Sequence, residues 1–363
     1  MKLLHLLHTP RHSGAEILVR DLCLEHVRNG VTCAIAAFGE GTPEFSAELA
    51  KLRSAGVTIF TPSASGSRWT RLSTYVRAMQ SFRPDAIFGH SLLPAAYGRL
   101  ARQLVAPKAR FIKVLHSSSD DYQSPRVRLV ERLLQGSTDA VITVAPGAAD
   151  YYRLHFRRTP RIVLVANGIN SEPIQAAVAQ RSRIRGALGL SEGDRLLLQV
   201  GRIAPIKNQR LSLEATLPLL KANPRMRLWF AGLVEDAAYH AALLADIEAS
   251  GLMDRILDLG ARSDIPDLLA AADVYLMPSA LEAQGIAFLE ALASGIPVVA
   301  SSIPAFDFAA GMAHLWSTPL DDTTAFTDLV ARALAAPGRV DRDLSAFTVA
   351  ATARAYEDLA RAG

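Results

Sequence analysis

The feature that most restricts what this chain can fold into is a rhythm that occurs twice. Short aliphatic and β-branched runs, LLHLLH, VTCAIAAF, VTIF, DAIFGH, RFIKVLH, DAVITV and RIVLVA, alternate with longer segments of helical period through the first half. Runs that are apolar on both faces, separated by helices, predict a parallel, doubly wound sheet. The first helix carries its own punctuation: Ser13 and Glu16 form an S-x-x-E capping box, and Gly30 sits where a terminating glycine belongs. After a polar, Arg-rich stretch around residues 170 to 194 the rhythm restarts with RLLLQVG, MRLWFAG, RILDLG, DVYLMPS and IPVVAS. The expectation is therefore an α/β protein of two doubly wound Rossmann-like domains, 1–167 and 195–345. Residues 168–194 would be the interdomain linker and 346–363 a final helix crossing back to the first domain.

With 363 residues there is room for two full cores. Half of the residues are hydrophobic and a fifth are charged, which excludes disordered and collagen-like chains. Cys23 and Cys33 cannot build a disulfide framework and show no metal-binding spacing, which fits a reducing, cytoplasmic setting. The N-terminal MKLLHLLHTP is too short and too polar for a signal peptide, and no apolar stretch reaches the roughly 18 residues of a membrane span. A soluble or peripheral protein is expected. The net charge of +4 hides an asymmetry: residues 1–167 hold 22 Lys and Arg against 12 Asp and Glu, the remainder 17 against 23. A basic first half predicts contact with an anionic surface or ligand. There is no GxxxxGK[ST], no GxGxxG after a strand, no HExxH and no short-period repeat, so ATPase, dinucleotide-dehydrogenase and zincin chemistry lack their marks.

Ligands of open parallel sheets bind beyond the carboxyl ends of the strands, where helix N-termini offer free N–H groups. Two such loops in the second half carry chemistry. The first reads Gly201-Arg202-Ile203-Ala204-Pro205-Ile206-Lys207-Asn208, placing a planar guanidinium and an ammonium on one strand-to-helix loop, where they can converge on a diphosphate. The second runs from Pro278 through Glu282, Gln284 and Gly285 into a helix beginning near Ile286, whose buried face is expected from Ile286, Leu289 and Ala293. Gly285 lets backbone approach a ligand, and the carboxylates of Glu282 and Glu290 can accept hydrogen bonds from hydroxyls of a sugar or ribose.

Together these loops resemble the signature of glycosyltransferase family 4, the retaining glycosyl transferases of group 1 with the GT-B fold. The G-R-(L/I)-x-x-x-K-(N/G) element is met by Gly201, Arg202, Lys207 and Asn208, and the E-x7-E element by Glu282 and Glu290. Asp273 to Ser279 and Ser294 to Ser301 resemble further family stretches. The resemblance implies two Rossmann-like domains facing a central cleft. It puts Arg202 and Lys207 on the donor diphosphate, Glu290 on the ribose and Glu282 on the transferred sugar, with Gly201, Gln284, Gly285 and Ile286 lining the donor site and Arg262 near the base. In the first half, His116 resembles the family's histidine facing the donor sugar. Gly14 keeps one half of a Gly-Gly pair that opens the first helix, Ser13 departing from the pattern. LVANGIN at Val163 to Asn170 resembles the family's "iPNGvd", with Ala166 and Asn170 as departures.

By the same resemblance the chain is expected to be a retaining, metal-independent transferase with no cofactor beyond its UDP- or GDP-linked sugar donor. Its acceptor would be a sugar or a lipid-linked sugar, and no nucleic acid is expected as a partner. No DxD-like acidic pair stands in a matching loop, in keeping with two cations doing a metal ion's work. The setting would be bacterial cell-surface polysaccharide or glycolipid assembly. A nucleotide-sugar epimerase of similar build and a non-catalytic nucleotide-sugar binding protein are the alternatives. One segment has two readings, an apolar face packed on the domain's own sheet or a membrane contact: in Ser67 to Pro84, Trp69, Leu72, Val76, Met79 and Phe82 recur at helical spacing while Arg68, Arg71, Arg77 and Arg83 lie largely off that stripe.

Overall fold

The structure, a computed structural model, describes residues 1–62, 67–116, 124–156 and 160–362. Two compact units divide the chain, the first formed by Met1–Ile169 with Ala346–Gly363, the second by Asn170–Ser345.

The first unit holds a seven-stranded parallel sheet of β1 (Lys2–Leu7), β2 (Thr32–Ala37), β3 (Thr58–Phe60), β4 (Ala86–His90), β5 (Arg110–Leu115), β6 (Ala140–Thr143) and β7 (Arg161–Leu164). Their order is β3-β2-β1-β4-β5-β6-β7. Each of the seven runs singled out in the sequence overlaps one strand. Between them run α1 (Gly14–Arg28), α2 (Ser46–Ser54), α3 (Arg68–Phe82), α4 (Leu92–Val105), α5 (Pro125–Leu134) and α6 (Pro146–His155). Gly30 ends α1 at φ 74°, with the Val31 N–H bonded back to the His26 carbonyl at 2.8 Å. The start of α1 differs from the capping-box expectation. The Ser13 hydroxyl donates to the Glu16 carboxylate and caps no backbone N–H, so the pair is tied side chain to side chain.

The second unit holds a six-stranded parallel sheet of β8 (Arg195–Val200), β9 (Met226–Ala231), β10 (Ile256–Asp258), β11 (Val274–Met277), β12 (Val298–Ser301) and β13 (Leu315–Thr318), in the order β10-β9-β8-β11-β12-β13. Strand β13 was not among the runs read from the sequence; its LWST is half-exposed at the sheet edge and carries little apolar signal. The helices of this unit are α7 (Glu172–Val178), α8 (Arg181–Ala187), α9 (Gln209–Ala222), α10 (Ala237–Ser250), α11 (Ile265–Ala271), α12 (Ile286–Ala293) and α13 (Thr323–Leu334).

Residues 170–194 are not the linker expected from their polar composition. Their helices α7 and α8 pack on α11, and Arg181 and Arg185 pair with Asp273 at 2.7 and 3.2 Å. The arginines that looked like solvated linker charge are structural ties. The final helix α14 (Val349–Arg361) belongs to the first unit: it packs on α1, Glu357 meets His26 at 3.1 Å, and Tyr356 stacks on Phe88. Gly168 is where this return passes, because a Cβ there would lie 2.2 Å from the Thr348 carbonyl oxygen. The Asn-Gly pair thus serves a close backbone crossing, which only glycine permits.

Of the two readings of the α3 stripe, the structure shows packing on the sheet. Tyr75, Ala78, Met79 and Phe82 are buried among Leu4, Leu6, Ala34 and Ile87 of the sheet, so the stripe is core and only Trp69 stands out in solvent. Among the described residues no helix is long and apolar enough to cross a membrane.

Candidate functional site

In each sheet the strand order reverses direction at one place. In the second unit β8 lies between β9, reached by the chain going one way, and β11, reached going the other. Such a switch point leaves a crevice at the carboxyl ends of its two strands. The two loops after β8 and β11 are the two that carry the sequence elements.

The β8 loop turns through a short 3₁₀ segment, Pro205–Lys207, and enters α9 after Asn208, held at φ 52°. Two glutamines brace it, Gln199 donating to the Lys207 carbonyl at 2.7 Å and Gln209 to the Arg202 carbonyl at 2.9 Å. The β11 loop is tied to it by a backbone bond from the Ala280 N–H to the Ile206 carbonyl, 2.8 Å. On that frame the Lys207 ammonium forms an ion pair with the Glu282 carboxylate, joining residues 75 apart in sequence. Both side chains are largely buried, 13% and 9% exposed. Arg202 is different: at 40% exposure it reaches outward and pairs with Glu235 in the loop after β9. Gly201 stands where β9 closes in, for a Cβ on the neighbouring Gly232 would lie 1.9 Å from the Gly201 carbonyl oxygen.

Gly285 precedes α12 at φ 79°, a conformation that side-chain-bearing residues avoid, and Phe288 and Phe306 stand 3.3 Å from where its Cβ would be. The helix beyond it is core along one face. Its buried face is Phe288, Leu289, Ala291 and Leu292, whereas Ile286 and Ala293, expected to face inward, are only half-buried. Ile286 is the first helical residue and Gln284 beside it is buried. Glu290, one turn in, is half-buried near Tyr275: burial first, then the negative charges of Glu290 and Glu282, push the Tyr275 phenol well above its usual value. Ser279 in the same loop is fully buried, and its hydroxyl has no partner among the described residues. Arg262, in the loop after β10, is held in a two-pronged pair with Asp264 at 2.8 and 2.5 Å. A groove of about 650 Å³ among α9, α10 and α13 includes Asn208 but none of Arg202, Lys207, Glu282 or Glu290.

In the first unit the switch point lies between β1 and β4. Here the structure places a chain of imidazoles. His116, just past the end of β5, accepts or donates at 2.8 Å to His90 at the end of β4, and the other side of His90 meets His5 of β1 at 2.9 Å. Burial lowers His116 to about 4. Burial, aided by the neighbouring rings, holds His90 and His5 well below the ordinary value as well. At neutral pH all three are uncharged, and because each ring has one N–H, the hydrogen placement of one fixes its neighbours. Sequence reasoning found His116 but missed His5 and His90; the signal was two histidines interrupting otherwise apolar strands. Gly14 stands exposed as the first residue of α1.

The structure also brings Cys23, Cys33 and His5 together, their ligand-type atoms within 4.8 Å of one another, although their sequence spacing gave no hint of it. The sulfurs are 3.1 Å apart, and burial, with the Cys33 contact, raises the Cys23 thiol well above its usual value, so Cys23 sits in the core as a protonated thiol.

Two open parallel sheets, one with cations and carboxylates at its switch point and the other with neutral imidazoles, define the class, and comparison with known proteins agrees. The family described as Glycosyl transferases group 1 matches residues 180–345, and Glycosyltransferase Family 4 matches residues 12–173. The chain belongs to this glycosyltransferase family, with a family 4 first half and a group 1 second half, and its fold is the two-unit α/β GT-B fold. It is similar to the lipopolysaccharide core biosynthesis mannosyltransferase LpsB of Rhizobium meliloti, 31% identical over 170 residues, 46% of each chain. The chain thus spans about half the length of that relative. It is 24% identical to the putative glycosyltransferase EpsF of Bacillus subtilis over 96% of this chain and 91% of that one. Among solved structures it resembles Alr3699/HepE of Anabaena in complex with UDP and glucose, with TM-score 0.76 and 22% identity over 98% of this chain and 94% of that one.

Proposed function

We propose that the chain is a retaining glycosyltransferase that moves a sugar from a nucleotide-diphosphate sugar, UDP- or GDP-linked, to an acceptor hydroxyl in the assembly of a bacterial cell-surface polysaccharide or glycolipid. The observation that carries this reading is the junction of the two motif loops at the β8/β11 switch point, where Lys207 and Glu282 pair and Ala280 bonds to Ile206.

In this reading the donor diphosphate takes Lys207 away from Glu282, and Arg202 swings from Glu235 to the same phosphates. Glu282 is thereby released to accept from hydroxyls of the sugar, Glu290 accepts from the ribose, and Arg262 lies toward the base. The acceptor oxygen bonds to the anomeric carbon on the face from which the diphosphate oxygen departs, and the hydroxyl proton passes to the leaving phosphate. Negative charge grows on the diphosphate during this step, and Arg202 and Lys207 stabilise it there without a metal ion, the largest electrostatic demand of the reaction. His116, neutral at pH 7, can exchange hydrogen bonds with a sugar hydroxyl without bringing a charge to the site. The acceptor, a sugar or a lipid-linked sugar, belongs to the first unit.

Thermal unfolding in the presence of UDP, GDP and ADP tests the donor class, since ligand that binds the native state raises the transition temperature by mass action. Stabilisation by UDP or GDP that disappears in Arg202→Ala supports the assignment. No stabilisation by any nucleotide diphosphate at millimolar concentration overturns it.

A further inference from the structure

Helices α4 and α5 lie side by side on the first unit, locked together by Arg99 of α4 and Glu131 of α5, which pair at 2.7 Å with neither side chain exposed. Their outward faces are unusual. On α4, Leu93, Leu100 and Leu104 fall at intervals of seven and four residues on one stripe, and on α5, Leu129, Val130 and Leu133 share another. All six are exposed, Leu104 by 67% and Leu133 by 75%. A protein whose buried strands are packed so completely does not leave six large aliphatic side chains in water on adjoining helices without a use.

The charges around them say what the use is. The only acidic residue on either helix, Glu131, is fully buried, whereas Arg126 and Arg132 of α5 are exposed and Arg128 is half-buried. The face thus presents aliphatic side chains among cations and no exposed carboxylate of its own. Aliphatic groups that sink to the acyl boundary, with guanidinium groups at headgroup level, fit the surface of an anionic bilayer. An acidic protein partner would be served by the cations alone, without so broad an aliphatic face.

We infer that the α4–α5 face of the first unit docks on anionic lipid bilayers. This rests on the reading of the chain as a transferase that acts on a lipid-linked acceptor, and it moves the membrane contact from α3, where the sequence suggested it, to the neighbouring helices.

The test is co-sedimentation of the full chain with phosphatidylcholine vesicles and with vesicles containing one third phosphatidylglycerol. The expected result is binding to the anionic vesicles alone, weakened as salt rises. Leu104→Gln combined with Leu133→Gln, and separately Arg126→Gln with Arg132→Gln, should each lower the partition coefficient at least about tenfold, while Arg68→Gln with Trp69→Gln on α3 leaves it within about twofold. Stabilisation by UDP or GDP, measured on the same samples, reports on the donor site independently. If it persists while the wild-type chain binds no vesicle at low salt, the docking face is overturned and the transferase reading stands; loss of binding only in the α3 variant would likewise overturn it. If no nucleotide stabilises the wild-type chain, the transferase reading fails whatever the vesicles show.

Discussion

The same three residue types do opposite work in the two units. At the junction of α4, α5 and β5 in the first unit, Glu131 is gripped by Arg99, by Lys113 and by the Tyr152 hydroxyl, the ion pairs at 2.7 Å, and none of the charged side chains is exposed. Burial alone would raise the Glu131 carboxyl, but the Lys113 ammonium and the Arg99 guanidinium outweigh it and bring it down to about 2. At the β8/β11 switch point of the second unit, Lys207 and Glu282 pair at the rim of the sheet with their side chains largely buried, and Arg202 reaches solvent beside Glu235. The buried network is saturated, and any ligand would have to break it. Among the described residues each charge of the rim network has one partner, and its Arg202–Glu235 pair is open to water, so a phosphate can exchange into it. Access and spare bonding capacity, more than residue identity, separate a structural charge cluster from a binding one.

The largest effect should come from attacking the buried network. Glu131→Ala leaves two cations in the core without their counter-charge and is expected to cost about 3–5 kcal/mol of stability, a fall in melting temperature on the order of 10 °C. A change of less than about 2 °C in a calorimetric scan would mean that the network around Glu131 is not saturated.

Acid should also separate the units. For His116, held near 4 against an ordinary 6.5, the unfolded chain takes up protons that the folded one refuses as pH falls from 6.5 towards 4. The stability gained from keeping that ring neutral is therefore fully present above about pH 6.5 and is lost on the way down to 4, up to about 3 kcal/mol for this residue. His90 and His5 act in the same direction. Hydrogen exchange measured between pH 7 and 4.5 should show protection falling first in β1, β4 and β5. Equal loss in β8 and β11 would remove the contrast between the units.

At the rim the order of effects reverses, with function lost before stability. Arg202→Ala should lower turnover at least about a hundredfold, as removal of a key transition-state charge does, while costing less than about 1 kcal/mol of stability because the side chain is exposed. Lys207→Ala should match that loss of turnover but cost about 1–3 kcal/mol more, since it strands the buried Glu282 carboxylate. Unchanged turnover in both variants sinks the diphosphate assignment.

The smallest difference is the most informative about geometry. Glu290→Gln should weaken UDP or GDP binding about tenfold in calorimetry, the size of one charge-assisted hydrogen bond, whereas Glu282→Gln should leave that binding unchanged and lower transfer. Equal weakening would reject the division between ribose and sugar.

Much of this was written in the local sequence. Strand periodicity marked twelve of the strands, because a parallel strand covered on both faces must be apolar at nearly every position. Gly30 and Gly285 were identifiable because a positive φ excludes most other residues. Arg202, Lys207, Glu282 and Glu290 stood out because a strand-to-helix loop in a parallel sheet delivers its residues to one edge. What the sequence could not settle was which side of a helix faces the sheet and which charges are buried. The stripe on α3 and the stripes on α4 and α5 are written in the same alphabet, yet the first packs on the sheet and the others face solvent. Arg181 and Arg185 lie in a stretch whose polar composition reads as a linker, yet they tie to Asp273, and Arg99 and Lys113 are core. Local patterns encode backbone conformation because sterics act between neighbours in the chain. The burial of a charge and the choice of a helix's inner face depend on atoms far away in the sequence, and only the closed tertiary structure brings those atoms into contact.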